Sequence, residues 1–166
     1  NVSGFDGLFE AKNNNLSSLI QNVGMSVNSG SLSNNASYLG RQNFGELCTS
    51  YQYIRNCYSK TYGSSYSGGI VGSHAGINGL CRIEKCFTSG SITGAGAGGI
   101  AGSHAGINGK CVIYECYSRG NVGSNHTAFS GESQQQGGIV GINSGENGYC
   151  LIQNCYSAGG SIGSYS

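Results

Sequence analysis

The chain has 166 residues, about one domain, and carries eight Lys and Arg against seven Asp and Glu. This sparse, balanced charge excludes the basic surface that binding to a nucleic-acid backbone requires. No apolar run approaches the roughly 20 residues that span a bilayer, so we expect no membrane insertion. With 31 glycines and no proline, the composition alone is typical of a disordered chain, unless a repeat places the glycines at fixed positions.

Residues 1–45 show no repeat. Asn- and Ser-rich stretches at 13–15 and 31–37 are typical of loops. We expect this segment to cap the repeats that follow, and the alternative is an arm that pairs with a neighbouring subunit. The apolar residues within it fit either a helical turn or a strand: Leu16, Leu19, Ile20 and Val23. Because the chain begins at Asn1 and has no signal-like segment, we expect a mature or excised piece of a longer protein.

Residues 46–166 repeat one pattern, at a period typical of solenoids, propellers and arrays. Each full copy runs from a Gly-Gly-Ile core through an Asn-Gly pair to an Ile-x-x-Cys-aromatic segment, and a degenerate copy precedes the three full ones. Cys86 and Cys116 are 30 residues apart, whereas Cys116 and Cys155 are 39 apart because of a polar insertion at 123–136. We expect that insertion to be a surface loop.

The glycine-rich cores predict short strands rather than helices, because glycine penalises a helix and the cores have too little side chain for an apolar face. The Asn-Gly pairs predict tight turns. Stacked repeats would place equivalent residues in rows and so build a core without a long hydrophobic segment. The predicted apolar rows are Ile70, Ile100 and Ile139; Ile54, Ile83, Ile113 and Ile152; and Ile92, Val122 and Ile162. The predicted aromatic row is Tyr58, Phe87, Tyr117 and Tyr156, and Lys85 and Glu115 would pair on the surface. The fold class that follows is all-β, a β-solenoid (β-helix) of about four coils of about 30 residues.

The eight cysteines predict disulfides and an oxidising compartment. Zinc is the rival explanation, but zinc knuckles prefer C-x2-4-C in two nearby halves, and the spacer here would bury one four-cysteine site per two coils. Because stacked strands lie about 4.8 Å apart, further than the ~3.8 Å that separates the Cβ atoms of a disulfide, we expect pairing within each coil. The predicted pairs are Cys48–Cys57, Cys81–Cys86, Cys111–Cys116 and Cys150–Cys155.

The copies resemble the GLUG repeat family over about residues 54–163. The matching cores are Gly69-Ile70-Val71-Gly72, Gly99-Ile100-Ala101-Gly102 and Gly138-Ile139-Val140-Gly141, and Asn154-Cys155-Tyr156-Ser157-Ala158-Gly159 matches the second half of the repeat. The resemblance implies a right-handed type of β-solenoid, as in large secreted or surface-anchored proteins such as adhesins and bacterial IgA-peptidase precursors. There the repeats act as spacers or binding surfaces. Cys81, Cys111 and Cys150 depart from the family pattern and weaken the transfer of bacterial biology.

Four N-glycosylation sequons begin at Asn1, Asn15, Asn35 and Asn125, three of them in the segment before the repeats. His74 and His104 occupy equivalent positions and would stack, but no carboxylate completes a metal site, so we expect neither metal nor cofactor. The glutamates form no recurring pair on one face, and no nucleophile motif is present, so we expect no enzyme.

These features predict an extracellular, non-enzymatic structural protein that associates head to tail with copies of itself in a glycosylated surface fibre or filament. The alternative is an adhesin-like module for glycans or a host surface, with Tyr51, Tyr53, Tyr62 and Tyr66 as stacking residues. A further alternative is an ice-binding solenoid whose face would be Ser91-Ile92-Thr93, Asn121-Val122-Gly123 and Ser161-Ile162-Gly163.

Overall fold

The fold was determined as a computed structural model, which describes residues 6–26, 32–60, 62–63, 65–92, 94–122 and 137–159. The described residues form ten β-strands and no helix. The strands are β1 Ser18–Gln21, β2 Gly24–Ser26, β3 Gln52–Arg55, β4 Tyr58–Lys60, β5 Leu80–Glu84, β6 Phe87–Ser89, β7 Lys110–Tyr114, β8 Tyr117–Ser118, β9 Tyr149–Gln153 and β10 Tyr156–Ser157. Within this part of the chain there is accordingly no helix that is long and apolar enough to cross a membrane.

The strands build two parallel sheets of five strands each, in the orders β1-β3-β5-β7-β9 and β2-β4-β6-β8-β10. Each repeat therefore gives one strand to each sheet, and we number the repeats one to five by these strand pairs. The sequence predicted about four repeats, and the additional one is repeat one at residues 18–26, where β1 pairs with β3 and β2 pairs with β4. The all-β class is confirmed, and described residues of the 1–45 segment continue the same two sheets.

The isoleucine row runs through every strand of the first sheet, because Ile20 joins it ahead of Ile54. Ile54, Ile83 and Ile113 are fully buried, as expected for side chains that are covered on both sides by the same residue type. The aromatic row lies in the second sheet. Its successive ring centroids, from Tyr58 through Phe87 and Tyr117 to Tyr156, are 4.5, 5.0 and 5.2 Å apart.

The Gly-Gly-Ile cores form isolated bridges rather than the predicted strands. Gly98 and Ala101 bridge to the neighbouring repeats, while the two residues between them bend. The backbones approach very closely here, since a Cβ on Gly99 would lie 2.1 Å from the carbonyl oxygen of Gly138. Ile70, Ile100 and Ile139 still follow one another, with hydrogen bonds of 2.8 Å from each amide to the carbonyl of the next. Ile92 and Val122 also bridge and are buried, whereas Ile162 lies outside the described residues.

A left-handed residue turns the chain between the two sheets in every repeat. In repeats three and four these residues are Lys85 and Glu115, both with φ of 51°, and their charged groups pair at 3.7 Å. The next residue from repeat two onward is a cysteine, whose thiol donates to the carbonyl just before the corner; in repeat three this is Cys86 to Glu84, at 3.2 Å. The same thiol-to-carbonyl bonds recur from Cys57, Cys116 and Cys155 at 3.1, 3.3 and 3.2 Å. A cysteine sulfur thus contacts the preceding backbone at each of these corners.

The two residues of each Asn-Gly pair have different roles in the turn. The asparagines adopt the left-handed conformation, with φ of 49° at Asn78 and 50° at Asn108. The glycines instead allow close approach, since a Cβ on Gly79 would lie 2.2 Å from the carbonyl oxygen of Gly45. The predicted tight turns are therefore present in the described repeats.

Candidate functional site: the open ends of the two sheets

The two ends of the sheets carry most of the exposed apolar surface. In the described part of the chain, strands β1 and β2 have no neighbour on one side, and neither do β9 and β10 on the other. Eight large hydrophobic side chains are exposed among all the described residues, and six of them belong to the first or the last repeat. These six are Leu8, Leu16 and Leu19 at the first end, and Tyr149, Ile152 and Tyr156 at the last end.

The rows relate each end residue to one at the opposite end. The first-sheet pairings place Ile20 and Ile152 on one row, and Leu19 and Leu151 on the next. Equivalent residues thus stand at both ends with the same spacing along the strand. A second copy that continued the rows would lay isoleucine on isoleucine and leucine on leucine.

The charges at the ends are also complementary. The backbones of Lys12 and Glu46 form an isolated β-bridge. Successive backbone hydrogen bonds continue this row through the later repeats to Glu146, which is exposed. Within its own chain, Lys12 lies 3.4 Å from Glu10 and 3.3 Å from Glu46. Burial lowers the pKa of Lys12, but the hydrogen bonds to Glu46 and Glu10 outweigh burial and raise it. Lys12 is therefore a cation at the first end, on the same row as an anion at the last.

All eight cysteines are free thiols in this structure, so the predicted pairing within each repeat stays a prediction. Cys81 lies near the start of β5 and Cys86 follows the corner at its end, which separates them by about 10 Å of strand before the turn. The sulfur neighbours lie instead in adjacent repeats: the Cys86 amide donates to the Cys116 thiol at 3.4 Å. The sequence argument set pairing between stacked repeats aside because the strand spacing exceeds the Cβ separation of a disulfide.

Two of the four sequons lie in the described residues. Asn15 is exposed, and its side-chain oxygen accepts a hydrogen bond from Thr49 at 3.1 Å. Asn35 is half-buried with a φ of 68°, and its side-chain oxygen accepts from Ser73 at 3.1 Å. Asn1 and Asn125 lie outside the described residues, as does the insertion at 123–136.

His74 and His104 stack with their ring centroids 4.8 Å apart and their planes 3° from parallel. Asn143 extends the row, with its amide nitrogen 3.2 Å from His104 Nε2. The pKa of His74 is lowered by burial and, to a smaller extent, by the neighbouring His104, while Glu46 opposes this. Across the described ranges, no group of three His, Cys, Asp or Glu side chains is placed to hold a metal ion.

Two of the four tyrosines named for glycan stacking contact each other. Tyr51 and Tyr53 pair at 6.0 Å with tilted rings, Tyr62 is exposed, and Tyr66 is half-buried. A shallow groove of about 390 Å³ lies elsewhere, along the Asn-Gly turns. Its lining includes Asn78, Asn108, Asn147 and Lys110. In the face named for ice binding, Ile92 and Val122 point into the core, whereas Thr93, Gly123 and 161–163 lie outside the described residues.

Comparison with protein-family models, curated proteins and solved structures finds no match to this chain. Membership of the GLUG repeat family therefore stays a prediction that rests on residues 54–163.

Proposed function

We propose that the chain is a β-solenoid and a non-enzymatic, extracellular structural subunit that associates head to tail with copies of itself. The observation that carries the proposal is the correspondence between the two ends, where Ile152, Leu151 and Glu146 share rows with Ile20, Leu19 and Lys12. An open, in-register parallel edge presents unpaired backbone groups that a further strand can satisfy. A head-to-tail contact that does not close on itself makes a filament.

The free energy of the contact between two copies predicts concentration-dependent assembly. Fully burying a large apolar side chain stabilises by about 1.5–3 kcal/mol. Leu8, Leu19, Ile152 and Tyr156 are 48, 51, 42 and 53% exposed, so each would gain roughly half of that amount. Their sum of about 3–6 kcal/mol only matches the lower part of the ~4–15 kcal/mol that association costs. The backbone hydrogen bonds between β9 and β1, at about 0.5–1.5 kcal/mol each, would supply the surplus.

The test is electron microscopy with sedimentation velocity on the purified full chain over a series of concentrations. Five strands per sheet at about 4.8 Å each predict an axial repeat near 24 Å. Filaments that lengthen with concentration and show this repeat would support the proposal. Particles that stay monomeric at every concentration would overturn it.

The alternative function is a binding module for linear glycans. The observation in its favour is the row of Asn78, Asn108 and Asn147 along the groove, because exposed carboxamides at regular spacing suit sugar hydroxyls. Calorimetry with soluble oligosaccharides, on wild type and on Asn108→Ser, would test it. Binding that is lost in the variant favours the module, and absence of heat with every oligosaccharide removes it.

The extracellular and glycosylated character also belongs to the proposal. Asn15 is the described sequon whose asparagine is exposed, and it is the position where we expect a glycan. Secretion of the chain from a eukaryotic cell, followed by enzymatic deglycosylation, would show a mass shift that decreases in Asn15→Gln. An unchanged mass after deglycosylation would contradict this part of the proposal.

A further inference from the structure

The last repeat differs from the others in its cysteines. Six of the eight cysteine side chains are buried, at 2% exposure or less. Cys150 and Cys155 alone are partly exposed. Both belong to repeat five, where no further repeat covers them in the described part of the chain.

Each of these thiols has a buried cysteine beside it in repeat four. Cys150 faces Cys111 directly in the register of β9 and β7. The amide of Cys116 donates to the thiol of Cys155 at 3.4 Å, and the Tyr156 amide donates to the carbonyl of Cys116, which places the two cysteines on one row.

The spacing of these rows suits a disulfide. Residues that face each other on neighbouring strands have Cα atoms about 4.8 Å apart, which is inside the ~4.4–6.8 Å range of disulfides. Cys150 and Cys155 are instead separated by the rest of β9, about 10 Å of extended chain before the corner, which exceeds the ~7 Å limit. Pairing between repeats therefore needs a smaller backbone movement than pairing within a repeat.

We propose that Cys150 pairs with Cys111 and that Cys155 pairs with Cys116, so that two disulfides staple the last repeat to the repeat before it. The exposed member of each pair is the entry point for the oxidant. The remaining four cysteines stay reduced once the chain has folded, because each is buried away from solvent.

With oxidised glutathione as the oxidant, the thiolate of Cys155 attacks one glutathione sulfur and releases one glutathione thiolate. The thiolate of Cys116 then attacks Sγ of Cys155 in the mixed disulfide, and the second glutathione thiolate leaves. The two cysteines lose two electrons to the glutathione disulfide, and their two protons finish on the two glutathione thiols. Cys150 and Cys111 follow the same steps.

The test treats the folded, reduced full chain with oxidised glutathione, blocks the remaining thiols by alkylation and maps the tryptic peptides by mass spectrometry. Trypsin cuts after Lys110 and Arg119, and no Lys or Arg follows Arg119. Cys111 and Cys116 therefore fall in peptide 111–119, and Cys150 and Cys155 fall in peptide 120–166. The proposal expects these two peptides to be joined, with four alkylated cysteines elsewhere.

Two separate peptides, each with an internal disulfide, would overturn the proposal in favour of pairing within the repeats. Recovery of all eight cysteines in alkylated form would overturn it as well. The pairing is checked with Cys155→Ser and additional cleavage after Glu115. In that variant the last-repeat peptide should be joined to 111–115 alone, and attachment to 116–119 would contradict the assignment. Peptide mapping does not depend on filament formation, so this inference and the proposed function fail separately.

Discussion

Ile113 and Ile152 face each other in the first sheet, and they differ only in what covers them. Ile113 has an isoleucine on both sides and is fully buried, whereas Ile152 has one such neighbour in the described part of the chain and is 42% exposed. The missing neighbour is what a second copy would supply with Ile20.

The first prediction concerns this contact between Ile152 of one copy and Ile20 of the next. Ile152→Lys should raise the concentration needed for assembly at least tenfold, because a charge would have to enter an apolar row, at a cost above about 1.4 kcal/mol. Sedimentation velocity measures the effect. Tyr62→Lys, an exposed aromatic away from both ends, is the matched control and should assemble like wild type. Equal assembly of Ile152→Lys and wild type would argue against this contact.

The second prediction concerns the close approach of the repeats. Gly99→Ala should prevent folding or destabilise it by more than about 3 kcal/mol, because the added Cβ would lie 2.1 Å from a backbone oxygen that cannot move independently. Gly24→Ala is the control, since its Cβ would meet the Tyr58 ring at an ordinary 3.7 Å. Urea denaturation of both variants measures the difference. A folded Gly99→Ala with wild-type stability would contradict the described spacing.

The third prediction concerns the aromatic row. Tyr117 stacks on Phe87 and on Tyr156, whereas Tyr156 has one ring neighbour among the described residues. Each aromatic pair is worth about 0.5–1.5 kcal/mol beyond burial, so Tyr117→Leu should cost about 1–3 kcal/mol and Tyr156→Leu about half as much. Thermal unfolding at a concentration where the chain is monomeric gives both values. Equal costs for the two variants would show that stacking contributes little.

The fourth prediction concerns a buried carboxylate. Burial raises the pKa of Glu84, but hydrogen bonds from Arg55 and Arg82 outweigh burial and lower it. Glu84→Gln should cost about 1–3 kcal/mol, because two half-exposed guanidinium groups lose their anion. The surface control, Glu115→Gln, loses an exposed pair and should change stability by about 0–1 kcal/mol. Denaturant midpoints that do not separate the two variants would contradict the prediction.

The fifth prediction concerns acid. The pKa of His74 in the folded chain is lowered by burial and by His104, so the unfolded chain binds this proton more tightly. The contribution to stability is complete above the ordinary His pKa of about 6.5 and is lost as the pH falls below it. His74→Asn should flatten the dependence of the unfolding free energy on pH between about 7 and 5. The substitution should not disturb the backbone, because asparagine already occupies the equivalent row positions Asn43 and Asn143 with φ of 62° and 54°. A variant with the wild-type pH slope would contradict the assignment.

The rows of the repeats could be predicted from the sequence because their residues recur at a fixed spacing. Ile83 and Ile113, or Phe87 and Tyr117, need only the period to be placed side by side, and the structure pairs them in this way. The stacking of His74 on His104 follows for the same reason.

The first repeat could not be found in this way, because it keeps the backbone of the repeat without its marker residues. Gly24 stands where the later repeats have an aromatic ring, and Val23 precedes it where they have the corner cysteine. Only Ile20 and the left-handed Asn22 follow the common pattern, which is too little for a spacing argument. The pairing of the cysteines stays a prediction, because all eight are free thiols in this structure.

Within each sheet the strands are parallel and stack in chain order, and this order gives the molecule a direction. One end presents the first repeat with Leu19 and Lys12, and the other presents the last repeat with Ile152 and Glu146. A stack of such chains would be polar, with two chemically different tips that elongate at different rates. A chain whose last repeat is blocked would then stop growth at one tip and leave the other free.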